Sequence, residues 1–469
     1  MKKIPFTALL LLSGIVASEA QTYEQQNISL LSNWNDTTIV AEPFYGIRYN
    51  GIWGWHDGAG HEYALIGATN GVHVVDVTNP LAATRVDFVP GRRTGCIWRE
   101  IKTYQHYAYL ISDDSPPNSF QIIDLQYLPD SVSVVYDSDS LFQRAHTLYV
   151  DGNKLYCGIV KGGITSGTSS MSVYSLNNPV NPSFLRDVDT DYGAAFTNQQ
   201  VHDMFVRNDT VYASAAFDGL FILKYDSVAN VFSMLGSLTT YPSQGYNHSS
   251  ALTDDGRTLV FMDEVPTGLP VKVLDVQDMS NLTVTATFQS NAGPTPHNPF
   301  IVGNKCFIAY YQDGLQVYDV SDPFLPVRVG YFDTQYQTLQ GGPYTGQSYS
   351  GAWGAYPYLP SGHVLVSDMQ NGLYVLDVSQ ITGLPSHPGE NALAIYPNPV
   401  SQGTPVRLKH LPAESSGLRV TDLTGRIVVE KQLAGDAEIS FETSGLSAGG
   451  YFIQVVGKNG TGTQKLVVQ

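Results

Sequence analysis

The chain has 469 residues, enough for two or three domains, and 43% of them are hydrophobic, as in globular proteins with sizeable cores. Its formal net charge is -17 at pH 7, and its pI is near 4.9. So acidic a chain repels nucleic acid and anionic lipid at long range, which argues against both as partners and favours a soluble extracytoplasmic protein.

The amino-terminal segment has the features of a secretory signal peptide. Two lysines precede an apolar run from about Ile4 to Val16, and small residues occupy both positions that signal peptidase reads. We therefore expect a signal peptide over residues 1–20, with cleavage after Ala20. The alternative, a membrane anchor, needs about 18 or more consecutive apolar residues, and the sequence contains no such run, so no transmembrane segment is expected.

Seven short segments rich in Val, Ile, Leu and Tyr recur along the chain, several of them followed by turn-forming residues. They read "GVHVVDV", "SFQIIDL", "SMSVYSL", "GLFILKY", "PVKVLDV", "GLQVYDV" and "GLYVLDV". One complete unit, residues 297–333, divides at its turns into four strands, which predicts one antiparallel propeller blade. Seven units predict an all-β, seven-bladed β-propeller over residues 21–382.

The two ends of the array indicate how the propeller closes. The last repeat stops after its third strand, whereas an unassigned segment, "ISLLSNWND" at residues 28–36, resembles the fourth strands of other repeats. An open ring would expose sheet edges. We therefore expect residues 28–36 to pair with the last blade and close the ring.

The first strand of each predicted blade begins with a distinctive side chain, and these first strands start at one face of a propeller. The expected ring around that mouth of the channel is Trp53, Arg99, His146, His202, His248, His297 and Trp353, followed one residue later by Glu100, Asp203 and Asn298. The turns between second and third strands are expected to add Asp113, Asp218, Asp263, Glu264, Asp313 and Asp368.

Two interpretations of this polar mouth remain open. Imidazole and carboxylate are suitable ligands for a divalent ion such as zinc, iron or manganese, and an open position on the ion activates water. His202, His248 and His297 are the metal candidates, with Asp203 or Glu264 as a catalytic base. Alternatively, the histidines hydrogen-bond to neighbouring blades and line a water-filled tunnel.

Arg99 beside Glu100 indicates either an ion pair between blades or an anion-binding group. The three cysteines, Cys96, Cys157 and Cys306, match no zinc motif and no disulfide framework, so we expect buried thiols.

Two loops are distinctive. The segment "DVDTDYG" at residues 187–193 imitates a calcium loop but lacks its closing glutamate, which favours a solvated acidic turn. The loop over residues 331–351 is rich in tyrosine and glycine, and it either binds a glycan or peptide or plugs the channel mouth.

The repeats resemble those of a known family, the choice-of-anchor B proteins with LVIVD repeats. The resemblance covers roughly residues 40–380 and is carried by "NGIWGW", "EYALIGATNGVHVVDVTNP", "WREIKTYQHYAYLIS", "GAWGAYPYLPSGHVLVSDMQNGLYVLDVS" and the strands that begin with histidine. It implies a secreted β-propeller and no established reaction.

After a predicted linker at residues 383–391, alternating apolar strands predict a small β-sandwich over residues 392–469. It resembles the type A C-terminal sorting domain of type IX secretion. The residues that carry this resemblance are Tyr396, Pro397, Asn398, Pro399, Asp422, Gly425, Gly450, Tyr451 and the terminal "KLVV" from Lys465. The alternative is an ordinary accessory sandwich, because a fold does not fix a role.

That resemblance implies that the type IX secretion machinery is a partner. It also implies transit through the periplasm and a mature protein that is released or attached to surface glycolipid at the outer membrane. The sequence contains no nucleophile elbow, metalloprotease helix or phosphate loop, which favours a binding module for a glycan or protein ligand. The alternative function is a metal-dependent hydrolase or lyase acting at the histidine-rich mouth.

Overall fold

The computed structural model describes residues 23–164, 167–335, 344, 349–383, 393–396, 398, 400–409, 411, 416–422, 426–433, 439–457 and 460–469. The predicted signal peptide, most of the predicted linker and much of the tyrosine-rich loop lie outside these residues. Within the described part, no helix is both long enough and apolar enough to cross a lipid bilayer.

Seven antiparallel sheets form the larger part of the molecule, and we number them as blades 1 to 7. In six blades the four strands are consecutive in the sequence, and in blade 7 the fourth strand comes from the amino-terminal segment. Blade 1 consists of Tyr49–His56, Glu62–Ala68, Gly71–Asp76 and Thr84–Pro90, and blade 2 consists of Arg99–Tyr104, Tyr107–Ser112, Phe120–Asp124 and Ser133–Ser138. Blade 3 consists of Thr147–Asp151, Lys154–Lys161, Thr168–Ser175 and Ser183–Asp187. Blade 4 consists of Asp203–Arg207, Thr210–Ser214, Leu220–Asp226 and Val231–Leu238. Blades 5 to 7 consist of Asn247–Leu252, Thr258–Asp263, Val271–Asp275 and Thr283–Phe288; Asn298–Val302, Lys305–Ala309, Leu315–Asp319 and Val327–Phe332; and Ala352–Tyr356, Val364–Asp368, Gly372–Asp377 and Ser29–Trp34.

The first strands of neighbouring blades contact one another around the centre, and the first strand of blade 7 contacts that of blade 1. This arrangement is the predicted seven-bladed β-propeller. The middle strands, such as Val364–Asp368, are buried along their whole length because the adjacent blades cover both faces. The fourth strands, such as Ser133–Ser138, lie at the circumference and are largely exposed.

The segment before blade 1 joins the two ends of the ring. Ser29–Trp34 pairs antiparallel with Gly372–Asp377, where the sequence predicts the closing strand, and a β-bulge interrupts the register between Leu30 and Ser32. Just before it, Gln25–Gln26 adds a short fifth strand to blade 6 by pairing with Tyr331 and Phe332. Both pairings cover sheet edges that would otherwise be open.

The acidic segment after blade 3 is neither a calcium loop nor a solvated turn. Asp189–Tyr192 forms one helical turn, followed by a 3-10 turn at Gly193–Ala195. Asp189 accepts hydrogen bonds from the main chain and hydroxyl of Ser170, and Asp191 forms an ion pair with Arg186. These carboxylates are partly buried and bind groups of blade 3 and the main chain of Phe232 in blade 4, so their oxygens are not arranged around an ion.

The carboxy-terminal part is a small β-sandwich. One sheet contains Ala394–Tyr396, Pro405–Lys409 and Ile439–Glu442, and the other contains Gly417–Asp422, Ile427–Gln432, Gly449–Gly457 and Gly460–Val468. Apolar side chains from both sheets, including Leu408, Val420 and Ile453, form a common core. This core contains only residues from 393 onward among those described.

Several residues that carry the sorting-domain resemblance have structural roles in this sandwich. The side chain of Asn398 accepts a hydrogen bond from the main chain of Val467 over 2.9 Å. Tyr451 donates its hydroxyl to the carbonyl of Ser447. Tyr396, Gly450 and Lys465 lie in paired strands, whereas Pro397, Pro399 and Gly425 are outside the described residues.

Candidate functional site

The four predicted histidines lie side by side at one end of the channel. Consecutive ring centroids are 4.2 Å apart from His146 to His202, 4.3 Å from His202 to His248, and 4.3 Å from His248 to His297. Trp353 continues the series 4.8 Å beyond His297. We call these four imidazoles the histidine arc. Their proximity places neighbouring imidazoles close enough to contact one bound group.

Hydrogen bonds across the blades orient the imidazoles. Nδ1 of His202 lies 3.2 Å from the carbonyl of His248, and Nδ1 of His297 lies 2.6 Å from the carbonyl of Trp353. A carbonyl only accepts, so Nδ1 carries the hydrogen in both rings and Nε2 keeps its lone pair. His146 directs its Nδ1 instead to a carboxylate oxygen of Asp113, 3.0 Å away.

Burial keeps the deeper imidazoles neutral. Desolvation lowers the pKa of His202 and of His248 well below the ordinary histidine value, and it lowers the pKa of His297 to about 3. Neighbouring imidazoles lower all three pKa values further. Neutral imidazole is the form that accepts hydrogen bonds and binds metal ions.

A cavity of about 280 Å³ opens over the histidine arc, and we call it the mouth cavity. Its lining comprises Trp98, Asp113, His146, Ile159, Lys161, Gln200, His202, Tyr246, His248, Glu264, Val265, His297, Tyr349 and Trp353. Its lining combines aromatic rings with hydrogen-bonding groups, a combination that occurs in small-molecule sites.

Glu264 is the carboxylate of the mouth cavity that lies beside His248. Its Oε1 accepts a 2.8 Å hydrogen bond from the hydroxyl of Tyr311, and its Oε2 lies 3.8 Å from Nε2 of His248. Burial raises the pKa of Glu264, against the opposing hydrogen bonds from Tyr311 and Tyr349. Among the described residues, His248, Glu264 and His297 form the group whose ligand atoms converge, all within 4.8 Å of one another. His202, an expected metal ligand, is not in this group.

The residues one position after the expected ring residues lie on the side of the histidine arc away from the mouth cavity. A narrow space of about 20 Å³, bordered by the histidines and by Glu100, Asp203 and Asn298, leads to an inner cavity of about 320 Å³. Desolvation and the charge of Glu100 raise the pKa of Asp203 to about 7. Asp203 lines the narrow space and the inner cavity but not the mouth cavity. It is therefore not positioned as the candidate base that the sequence predicts at the mouth.

Two expected members of the ring lie elsewhere. Trp53 lines the inner cavity, where its indole donates to Thr103 and Lys102 lies 4.3 Å from its ring. Arg99 borders the narrow space but donates its guanidinium to the carbonyls of Ala68 and Arg93, so it does not pair with Glu100. Lys102 is the partner of Glu100.

Two expected mouth carboxylates are fully buried structural groups. Asp263 forms an ion pair with Lys272 and accepts the hydroxyl of Tyr241, all inside blade 5. Asp368, at the end of the second strand of blade 7, accepts hydrogen bonds from the main chain of Gln370 and from Thr334, which follows blade 6. Of the other turn carboxylates, Asp113 and Glu264 reach the mouth cavity, whereas Asp218 and Asp313 do not line it.

The cavity also contains residues that the sequence interpretation missed. Trp98 precedes Arg99 and lies 6.4 Å from the ring of His146, and Gln200 and Tyr246 each lie two residues before a histidine of the arc. The position two residues before His202 and His248 is a signal that could have identified Gln200 and Tyr246. Tyr349, from the tyrosine-rich loop, forms part of the wall.

The rim of the mouth cavity is apolar and exposed. Phe217 is 59% exposed and packs against Tyr246, and Phe44, 78% exposed, contacts Tyr45, which in turn contacts Tyr349. Exposed apolar side chains next to a cavity are a recurrent feature of binding surfaces. All three cysteines are buried free thiols away from the cavity, as predicted.

Two family models match the chain. LVIVD repeats match residues 300–334 and 361–392, which lie in blades 6 and 7 and the segment after them. A secretion system C-terminal sorting domain matches residues 394–469. The protein therefore has LVIVD repeats and a type IX sorting tail, and it is secreted or located at the outer-membrane surface.

No curated protein matches the sequence. The solved structures similar to the chain include the extracellular domain assigned to a one-component system of B. thetaiotaomicron, with a TM-score of 0.46 and 11% sequence identity. The match covers 93% of this chain and 59% of that structure, so the chain spans less than two thirds of its length.

Proposed function

We propose that the protein is a noncatalytic binding propeller that recognises the uncharged end of a glycan in its mouth cavity. We also infer that it belongs to the choice-of-anchor B family, on the ordered repeats found in the sequence. The sorting tail supports an encounter with this ligand outside the cell or at its surface.

The composition of the mouth cavity carries the proposal. Trp98, Tyr246, Tyr349 and Trp353 provide flat amphipathic faces, and the neutral imidazoles add hydrogen-bonding groups between them. The charge of Lys161 is opposed by Asp113, whose carboxylate lies 3.5 Å from its ammonium group. Ring faces with many uncharged hydrogen-bonding groups suit a hydroxyl-rich sugar better than an ionic ligand.

The experiment is a glycan array probed with the purified chain, followed by calorimetric titration of the glycans that bind. We expect Trp98→Ala to weaken binding about tenfold or more, because the indole forms one wall of the cavity. Trp55→Ala is the matched control, since Trp55 lines neither described cavity and donates to the carbonyl of Gln105. Absence of glycan binding, or equal losses in the two variants, would contradict the proposal.

A metal-dependent hydrolase or lyase at the same mouth is the second candidate, favoured by the convergence of His248, His297 and Glu264. It ranks lower because the remaining described carboxylate of the cavity, Asp113, already binds His146 and Lys161. Turnover of an ester, amide or polyuronide substrate by the zinc-loaded chain would replace the binding function with this one.

A further inference from the structure

We propose that His248, Glu264 and His297 bind one divalent transition-metal ion, such as zinc, at the floor of the mouth cavity. Two imidazoles and one carboxylate form a donor set suited to zinc and similar ions. The inference goes beyond glycan recognition and does not depend on it. It also replaces His202, a ligand expected from sequence, with Glu264.

The first argument is the spacing of the donor atoms. Nε2 of His248 and Oε2 of Glu264 are 3.8 Å apart, too far for a hydrogen bond. Two atoms that each lie about 2.1 Å from one zinc ion are separated by roughly 3–4 Å. The three ligand atoms lie within 4.8 Å of one another, so small side-chain rotations close the site around an ion.

The second argument is that neighbouring groups already orient the ligands. The Nδ1 hydrogen of His297 is donated to the carbonyl of Trp353 over 2.6 Å, which leaves Nε2 for the ion. The hydroxyl of Tyr311 holds Oε1 of Glu264 at 2.8 Å. Metal-binding histidines and carboxylates characteristically have such outer hydrogen bonds, which fix their tautomer and direction.

The third argument concerns His248, whose ring is buried with 3% exposure. Among the described residues its Nδ1 has no hydrogen bond of normal geometry, although the carbonyl of His297 lies near it. That carbonyl already accepts the hydroxyl of Ser249. Its Nε2 lies 3.8 Å from Glu264, beyond hydrogen-bond distance, and faces the mouth cavity, so this atom is available to an ion and the cavity leaves space for a further ligand.

The test is calorimetric titration of zinc into the chelator-treated full chain, purified without a polyhistidine tag. We expect one zinc per chain, and we expect Glu264→Gln and His248→Gln each to weaken binding about tenfold or more. His146→Gln is the matched control, because His146 lies in the same cavity but binds Asp113 at the far end of the arc. It should retain zinc affinity within about threefold, as should His202→Gln.

Cobalt(II) titration of the wild-type chain tests the site without relying on any variant. We expect visible absorption bands of a four- or five-coordinate ion with nitrogen and oxygen ligands, lost on addition of zinc. Absence of stoichiometric zinc and cobalt binding, or an equal loss in His146→Gln and Glu264→Gln, overturns the metal site. Because neither titration uses a glycan, zinc binding without glycan binding would overturn the proposed function alone.

Discussion

Asp263 and Glu264 are adjacent in the sequence but lie in different environments. Asp263 is buried against Lys272, whereas Glu264 reaches the mouth cavity. Asp263 is the last residue of the second strand of blade 5, whereas Glu264 follows that strand at the mouth of the channel. Asp263 thus lies where the register of blade 5 shifts, at a bulge between Asn247 and Ser249. Sequence reasoning placed both carboxylates at the mouth and named only Glu264 as a candidate base, so its error here is the placement of Asp263.

His73 provides a test at the residue scale of how burial controls stability. It is buried in blade 1, where its ring lies 5.4 Å from Trp34 of the closing strand and 4.5 Å from Phe88. Desolvation lowers its pKa to about 4, so between about pH 6.5 and 4 the unfolded chain binds a proton that the folded chain does not. The free energy of unfolding should therefore fall as pH falls through this window.

The free energy of unfolding would be measured with urea at pH 7 and pH 4.5 for the wild-type protein and His73→Phe. We expect the decrease between the two pH values to be smaller in the variant by up to about 3 kcal/mol. The aromatic contacts remain, so the variant isolates the titration. His61→Phe is the control, because Asp57 raises the pKa of the exposed His61. Loss of this imidazole should therefore not reduce the decrease in unfolding free energy at low pH. An unchanged pH dependence in His73→Phe would contradict the assignment.

The positions of the first strands decided how well the site could be predicted. Three of the histidines directly precede their first strands and His248 is the second residue of its strand, so repeat alignment placed them correctly around one mouth. In blade 1 the first strand begins at Tyr49, before Trp53, and a bulge follows Tyr49. In blade 2, Trp98 lies just before the first strand. Bulges and strand starts depend on contacts between blades, which a repeat alignment does not contain.

The packing of adjacent first and second strands gives a prediction at the element scale. A Cβ added at Gly158, in the second strand of blade 3, would lie 2.3 Å from the carbonyl oxygen of Val201, just before blade 4. Gly158→Ala should therefore separate the two blades, destabilise the protein by roughly 1–3 kcal/mol, and weaken ligand binding by displacing His146 from His202.

Gly167→Ala is the matched control for this change, because an added Cβ there meets no atom within 4 Å. Thermal unfolding and glycan or zinc titration would be measured for both variants. Equal stability of Gly158→Ala and Gly167→Ala would show that the two blades can move apart without cost, contrary to the close packing in the structure.

At the scale of the whole molecule, the ring depends on a segment far from its partner in the sequence. Ser29–Trp34 forms the fourth strand of blade 7, more than 330 residues away along the chain. The resemblance of residues 28–36 to the fourth strands of other repeats and the incomplete last repeat were sufficient to predict this pairing. The extra strand at Gln25–Gln26 was not predicted, because two polar residues carry no strand pattern.

Deletion of residues 23–36 should lower the Tm by more than about 5 °C, because it removes the closing strand and buried Ile28 and exposes the edge of blade 7. An open edge accepts other strands, so the truncated protein should also self-associate in light scattering. Deletion of residues 393–469 is the control: the described core of the sandwich shares no residue with the blades, so the propeller transition should stay unchanged. If a peptide of residues 23–36 added to the truncated protein restores the Tm, the loss of stability arises from the missing strand pairing. Equal Tm values for the two deletions would show that ring closure contributes little to stability.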